Sequence, residues 1–383
     1  MFALVFSAVA ACSGPRDHAQ ILMPRLSVPW SESVRILGDS VPGKTFYSDF
    51  LMIRDKMTPA RWHAVGIHKS MNTLYHAVAD SLFGEWKLQP DIVSTDSVVR
   101  MWAPFAIWSP RGDSAYMYYH HGLGPDGGDM WNSMRVLAAA GPDLDRWTKY
   151  DVYAEQEAAP GVRNIVFTGP VPRDACIFFD ESLDKYIMYY ADDAPRAIQA
   201  RTSDDAVHWS EPVPVMGIPD PQEAFVTPES PFVIRRDGLY YLFVSGFDYA
   251  RVALYVSEDP FDFGDPIANK VGEINGHAPE IVEENGHYYI ACAHIASEPG
   301  MAPGAADLWG TYLQELVWSP ATEAESAKIF RKDRNRVRIR ENTPRAVRHT
   351  DRPRRISRAS ALHGLRSLRP RRIRSFRSER AHV

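Results

Sequence analysis

The chain has 383 residues, 11% of them aromatic, with 29 prolines and 24 glycines spread along its length. That length can bury a large core, and the punctuation suits many short strands and turns better than long helices. No stretch sustains a helical period, and none is an apolar run of about 20 residues that would cross a membrane. The net charge of −5 hides a split: Lys328 to Val383 holds 20 Lys/Arg against 4 Asp/Glu, which leaves 23 against 44 elsewhere. Parts so unlike in charge do different work.

The N-terminus, MFALVFSAVAACSG, is apolar and ends in small residues. Val9-Ala10-Ala11-Cys12 resembles a bacterial lipoprotein cleavage box, in which the cysteine becomes the lipidated first residue. Residues 1–30 are therefore expected to be a lipoprotein-type signal and polar tether. The expected protein is exported and periplasmic or outer-membrane-anchored in a bacterium, touching membrane only through a lipid at Cys12. A basic n-region is missing, so an ordinary apolar segment is the alternative. Cys176 and Cys292 fall in apolar strand patterns, where a free cysteine acts as a small buried hydrophobe. No cysteine spacing suggests a metal or a disulfide framework.

From Thr45 one pattern recurs five times: a short polar opening, an apolar strand, an aromatic strand, a third strand and a terminal aromatic residue. The units run SDFLMI, WHAVGI and LYHAVADSLFGEW to Trp86; WAPFAI, SAYMYY and MRVLAAAGPDLDRW to Trp147; and RDACIF, KYIMYY and AIQARTSDDAVHW to Trp209. The last two are ESPFVI, LYYLFV and RVALYVSEDPFDF to Phe263, and HAPEIV, HYYIAC and GTYLQELVW to Trp318. A period of roughly 50–60 residues with several strands per unit predicts an all-β fold, a five-bladed β-propeller over residues 45–320. Asp237-Gly238 marks a hairpin turn in the fourth unit. The aromatic residue ending each unit is expected to plug the space between blades.

In a propeller the first strand of every blade faces the central channel, so the strand openings converge on one mouth. Alignment brings Ser48-Asp49, Trp102-Ala103, Arg173-Asp174, Glu229-Ser230 and His277-Ala278 together. Gathered acids repel: at about 6 Å and an effective dielectric near 20, a pair costs roughly 3 kcal/mol, or about two pKa units. Residues kept at that cost point to chemistry. Glu229 beside Asp174 is expected to have its pKa raised by the negative neighbour, leaving it protonated near neutrality while Asp49 stays charged. That is the pair of states glycoside cleavage requires.

At these residues the chain resembles the five-bladed propeller glycosidases of the arabinanase, invertase and levansucrase superfamily, glycoside hydrolase families 43, 32 and 68. The resemblance rests on Asp49 in SDFLMI, Trp102 in WAP, Arg173-Asp174 in RDACIF, Glu229 in ESPF and His277 in HAPEIV. It implies Asp49 as base or nucleophile, Asp174 as the residue that positions the sugar and tunes the acid, and Glu229 as general acid. The proline that follows the family's aspartates is here Phe50 and Ala175. Family 43 implies inversion, families 32 and 68 retention. Trp102, Arg173 and His277 are the substrate-binding candidates: Trp102 by stacking on a sugar ring or by packing on a neighbouring blade, Arg173 by clamping Asp174 or a hydroxyl. No cofactor is implied; His277 is where some relatives hold water or a channel ion such as calcium. His63, His76, His120 and His121 match no recognised metal spacing and read as structural. Glu223 competes with Glu229 but does not align with the strand openings, and Asp192-Asp193 reads as a turn.

After Trp318 the pattern stops. Residues 328–383, rich in Arg, Pro and Ser, are expected to form a disordered basic tail, either an anionic-surface arm or the product of out-of-frame translation. The expected partner is an oligo- or polysaccharide met by a monomer, with no nucleic acid. The expected activity is glycoside hydrolysis, an arabinofuranoside being one candidate substrate. Glycosyl transfer or phosphorolysis at the same site, and a non-catalytic glycan-binding propeller, are the competing readings.

Overall fold

The computed structural model describes residues 21–38, 48–67, 72–94, 100–110, 112–122, 132–139, 141, 143–150, 152, 164–169, 171–192, 197–217, 229–246, 251–293 and 310–329. Two short strands come first, β1 (Leu22–Leu26) and β2 (Val34–Leu37). Blade 1 is β3 (Ser48–Arg54), β4 (Trp62–Ile67), β5 (Thr73–Ala79) and β6 (Lys87–Ser94). Blade 2 is β7 (Arg100–Trp108), β8 (Ala115–Gly122) and β9 (Ser133–Ala139), with β10 (Trp147–Lys149) and β11 (Ile165–Thr168) both on β9. Blade 3 is β12 (Pro172–Asp180), β13 (Lys185–Asp192), β14 (Ala197–Ser203) and β15 (Val213–Gly217). Blade 4 is β16 (Glu229–Arg236), β17 (Leu239–Ser245), β18 (Arg251–Ser257) and β19 (Gly272–Asn275). Blade 5 holds β20 (Glu280–Glu284), β21 (His287–Cys292) and β22 (Thr311–Pro320). Each blade is an antiparallel sheet ordered outward from its first strand, so the five-bladed propeller is the observed fold.

The core lies between blades. One apolar cluster joins blades 3 and 4 through Tyr189, Leu242 and Phe263; another joins blades 1 and 2 through Leu51, Val65, Met117 and Leu137. The aromatic plugs sit at these seams. Trp209 of blade 3 meets Tyr118 of blade 2 edge-on at 5.9 Å, Phe263 of blade 4 meets Tyr189 of blade 3 at 6.2 Å, and Trp318 of blade 5 meets Tyr241 of blade 4 at 5.0 Å. Offset and edge-on aromatic pairs add about 0.5–1.5 kcal/mol beyond the area they bury. The hairpin at Asp237-Gly238 has positive φ at both turn residues, 51° and 80°, and Asn285-Gly286 repeats it in blade 5 at 56° and 81°. These are type I′ turns, whose twist matches that of the strands they join. Cys176 and Cys292 are both buried and free.

The propeller takes in more chain than residues 45–320. β1 pairs antiparallel with β22, Leu22 opposite Pro320 through Leu26 opposite Leu316, and becomes the outermost strand of blade 5. The ring is therefore closed by joining the two ends of the fold, and the expected tether over residues 1–30 gives way to strand from Leu22. Trp30, 1% exposed, donates its indole N–H to the Asn275 carbonyl at 2.7 Å. Beyond β22, a helix α1 (Glu323–Ile329) returns to the body: Glu325 takes a bidentate hydrogen bond from Arg25 at 2.7 and 2.8 Å, and Ile329 is buried in the core. Cys12, Glu223, Asp193 and the tail from Phe330 onward lie outside the described residues.

Candidate active site

All five blades make the same local distortion where they open. In blades 1 to 4 the ladder between first and second strands skips two residues: Asp49-Phe50, Ala103-Pro104, Asp174-Ala175 and Ser230-Pro231. The first of each pair has positive φ, 36°, 39°, 60° and 45°, and Ala278 in blade 5 matches them at 47°. These are β-bulges, which bend the strand and re-aim its side chains. The second skipped residue makes no ladder bond, so proline at Pro104 and Pro231 forfeits nothing there. For the same reason Phe50 and Ala175 are accepted in that place. Aspartate tolerates the left-handed conformation better than most residues, which suits Asp49 and Asp174 to the bulge itself.

The bulges bring five of the six candidate site residues into two contacting groups, Arg173 with Asp174 and Glu229, and His277 with Asp49. Arg173 is the hub: its guanidinium donates to the Asp174 carboxylate and, at 3.2 Å, to Oε1 of Glu229. Asp174 Oδ2 also accepts the Ser230 backbone N–H at 2.9 Å, tying blade 3 to blade 4. Across the channel His277 Nε2 lies 3.5 Å from Asp49 Oδ1, which accepts the Ser48 hydroxyl at 3.1 Å. Trp102, the sixth, occupies the equivalent position in blade 2. Its ring stacks on His120 with centroids 4.7 Å apart, and it packs against the core between blades 1 and 2. His120 is fully buried, donates from Nδ1 to the Pro172 carbonyl at 2.8 Å, and is pushed down to about 3 by burial, so it supports the indole as a neutral ring.

Glu229 is raised from 4.5 to about 7. Burial is the largest cause; Arg173 and His277 oppose it, while Asp174 and Asp49 add smaller pushes upward. The expectation that Asp174 is the main cause is thus corrected: its charge is largely spent on Arg173. Oε2 of Glu229 is shielded from solvent and has no hydrogen-bond partner among the described residues, which favours a proton on the group. Burial works against a charge on His277, yet its hydrogen bond to Asp49 and the surrounding carboxylates outweigh it and raise the imidazole. The cluster therefore sets two basic side chains, Arg173 and His277, among three carboxyl groups, Asp49, Asp174 and Glu229. Like-charge repulsion among the acids is offset within the site.

The strand openings line a cavity of about 30 Å³, room for little more than water. Its wall is Phe50, Pro104, Phe105, Ala175, Pro231, Phe232 and Pro279, with Asp49, Asp174 and Glu280 as the carboxylates. Glu280 is a site-wall residue that sequence reasoning passed over. It accepts the Met52 N–H at 3.2 Å, and full burial raises its pKa well above the usual carboxyl range. The signal was a lone acid in an otherwise apolar strand opening, HAPEIV. This wall does not suit calcium, which takes six to eight oxygen ligands: it offers three carboxylates, of which Glu280 accepts the Met52 N–H, Asp49 is engaged by His277 and Asp174 by Arg173.

No protein-family model matches the chain, and no curated protein matches it. Solved structures do. An α-L-arabinofuranosidase from Lactobacillus brevis superposes with a TM-score of 0.50 at 14% identity, over 75% of this chain and 97% of that one. The RS223 β-xylosidase superposes with a TM-score of 0.51 at 15% identity, over 76% and 96%. The chain has the fold of the five-bladed propeller glycosidases. At such identity the likeness speaks for the fold, and the chemistry rests on the site itself.

Proposed function

We propose that this protein is a glycoside hydrolase whose site at the propeller mouth cleaves a glycosidic bond. The observation that carries the reading is the unlike surroundings of two carboxyl groups at one mouth: Glu229 is buried and raised to about 7, while Asp49 lies 3.5 Å from the His277 imidazole. Pairs of acids whose surroundings push their protonation states apart mark acid and base roles.

In this reading Glu229 gives its proton to the glycosidic oxygen as the bond to the anomeric carbon breaks, so the leaving sugar departs as a neutral alcohol. Asp49 acts at the anomeric carbon, taking a proton from an attacking water in an inverting reaction or attacking directly in a retaining one. Arg173 holds the acid in place through its hydrogen bond to Oε1, and the Asp174 charge raises the acid's proton affinity. The stacked face of Trp102 on His120 offers a rigid surface for a sugar ring. A pentoside, arabinofuranosyl or xylosyl, is the first substrate class to test, since the two structural neighbours with that fold are named for those sugars.

The experiment is turnover of the full chain on aryl pentosides, aryl hexosides and polysaccharides, with the anomer released first followed by proton NMR. Hydrolysis of one class that is lost in Asp49→Asn supports the reading, and the anomer tells base from nucleophile. Failure on every substrate, with glycan binding retained, favours a binding propeller instead. Export is a companion proposal, resting on Val9-Ala10-Ala11-Cys12. Full-length protein should enter the detergent phase in its native host and Cys12→Ser should not; equal partitioning sinks it.

A further inference from the structure

Away from the channel, blade 1 carries two buried histidines that the glycosidase chemistry does not use. His63 on β4 is 1% exposed and His76 on β5 is 2% exposed. In the hairpin His63 stands opposite Val78 and His76 opposite Val65, so they are diagonal neighbours on one face of the sheet. Their rings stack 5.1 Å apart with 11° between planes, and His63 Nδ1 meets His76 Nε2 at 2.9 Å. Asp145, in the turn between β9 and β10 of blade 2, brings a third donor: one ligand atom from each residue lies within 4.8 Å of the others. Thirteen residues of separation and a contact across two blades hid this grouping from any reading of spacing.

We propose that His63, His76 and Asp145 form a binding site for a divalent transition-metal ion of the zinc class, stapling blade 1 to blade 2. Two imidazoles and a carboxylate are the donor set such ions take, whereas calcium and magnesium prefer oxygen alone. Tetrahedral bonds of about 2.0–2.1 Å place donor atoms roughly 3.4 Å apart. The two nitrogens need only part by about half an ångström, and the half-exposed Asp145 makes the larger move. A second, independent observation points the same way. The other nitrogen of His63, Nε2, faces Asp55 Oδ2 at 3.5 Å, at the outer limit of a hydrogen bond, and neither buried atom has another partner among the described residues. A metal-bound imidazole characteristically hands its remaining N–H to a carboxylate, which fixes the tautomer. Asp55 is held for that task by the backbone N–H groups of Met57 and Thr58 at 2.6 and 3.1 Å. Metal on Nδ1 of His63 fixes the ring proton on Nε2, where it faces Asp55 Oδ2.

Arg61 is the competitor. Its guanidinium spans both oxygens of Asp145, at 3.0 and 2.8 Å. This gives a test in which two partners of one ion pair respond in opposite directions. Full-length, untagged protein is stripped with chelator and titrated with Co²⁺, whose visible d–d bands report tetrahedral nitrogen and oxygen ligation; Zn²⁺ is then added as competitor. The expected result is one equivalent of intense bands displaced by Zn²⁺, weakened at least tenfold in affinity by Asp145→Asn, abolished by His76→Gln, and strengthened by Arg61→Gln. Asp145→Asn changes a surface side chain and keeps the fold, so the test survives if the buried His76 variant does not fold. No bands at millimolar Co²⁺, or bands unchanged in Asp145→Asn, overturn the proposal. So does a lowered melting temperature in both Arg61→Gln and Asp145→Asn with identical metal affinity, which would leave the pair as a simple inter-blade ion pair. None of these readouts depends on glycosidase activity.

Discussion

Glu229→Gln separates the site's chemistry from its cost to the fold. The carboxyl is raised from 4.5 to about 7 in the folded protein. At about 1.4 kcal/mol per pKa unit this amounts to about 3 kcal/mol. The sign follows from proton counts. Between those two pH values the folded state holds a proton that the unfolded chain has released, so stability falls as pH rises from 4.5 to about 7 and stays low above it. Gln has nearly the same shape and no ionisation, so the variant escapes the penalty. Urea denaturation of wild type and Glu229→Gln from pH 4.5 to 8 should show the variant gaining on wild type by up to about 3 kcal/mol across that interval. His277, whose pKa is also raised, adds a further loss as pH rises above 6.5, and a smaller one in the variant, because Glu229 is one of the charges that raise it. The same substitution should slow hydrolysis of an unactivated glycan by about 10²–10⁴-fold, the ordinary worth of a general acid. It should slow a nitrophenyl glycoside far less, because that leaving group departs without a proton. Parallel stability profiles would show that Glu229 is not the perturbed acid. Equal rate losses on both substrates would remove it from the acid role.

Arg173→Met should move the alkaline limb of kcat/KM above 7, since the guanidinium holds Glu229 down. Asp174→Asn should move it below 7, since that charge pushes Glu229 up. Shifts in one direction for both would refute the hub arrangement. Asp49→Asn should lose about 10³-fold or more on activated and natural substrates alike, because attack rather than departure fails; near-normal turnover on either would displace it. A chain ending at Ser319 should lose about 2–3 kcal/mol with the buried Ile329 and the Arg25–Glu325 pair, whereas one ending at Phe330 should match the full chain in melting temperature. Equal melting of all three would show that α1 contributes nothing.

What could be read from the residues was what repeats. That Asp49, Asp174 and Glu229 open their blades at equivalent places is legible because five openings share one register, and periodicity carries position even where identity varies. β1 was hidden because LMPRL is short, contains Pro24 and pairs with residues nearly three hundred positions away. The helix α1 had a legible start that the charge split obscured: Thr322 and Glu325 form a capping box, with the Glu325 N–H to the Thr322 hydroxyl at 3.2 Å and the Thr322 N–H to the Glu325 carboxylate at 2.8 Å. The source of the Glu229 shift was illegible for another reason. A list of neighbouring charges can be read from aligned openings, but the depth at which a carboxyl sits is set by blades packing around it.

The bulge separates what belongs to the fold from what belongs to the site. A left-handed L-residue costs roughly 1–2 kcal/mol, and the propeller accepts that strain at Asp49, Ala103, Asp174, Ser230 and Ala278. Ala103 and Ala278 bring no polar side chain to repay it, so the strain cannot be explained by catalysis at those two positions. It is better explained by closure: each first strand must bend where five of them crowd one axis, and a one-residue slip of register provides the bend. Once every blade has it, each blade has two side chains re-aimed at the mouth, the bulged residue and the one before it. Chemistry then needs only substitution at places the architecture already supplies, Asp on the bulge in blades 1 and 3, and Arg, Glu and His just ahead of it in blades 3, 4 and 5. The same logic accounts for the charge balance. Arg173 and His277 occupy the pre-bulge place, Asp49 and Asp174 the bulge itself, so each cation lies against an anion and Glu229 is left as the carboxyl without a full counter-charge.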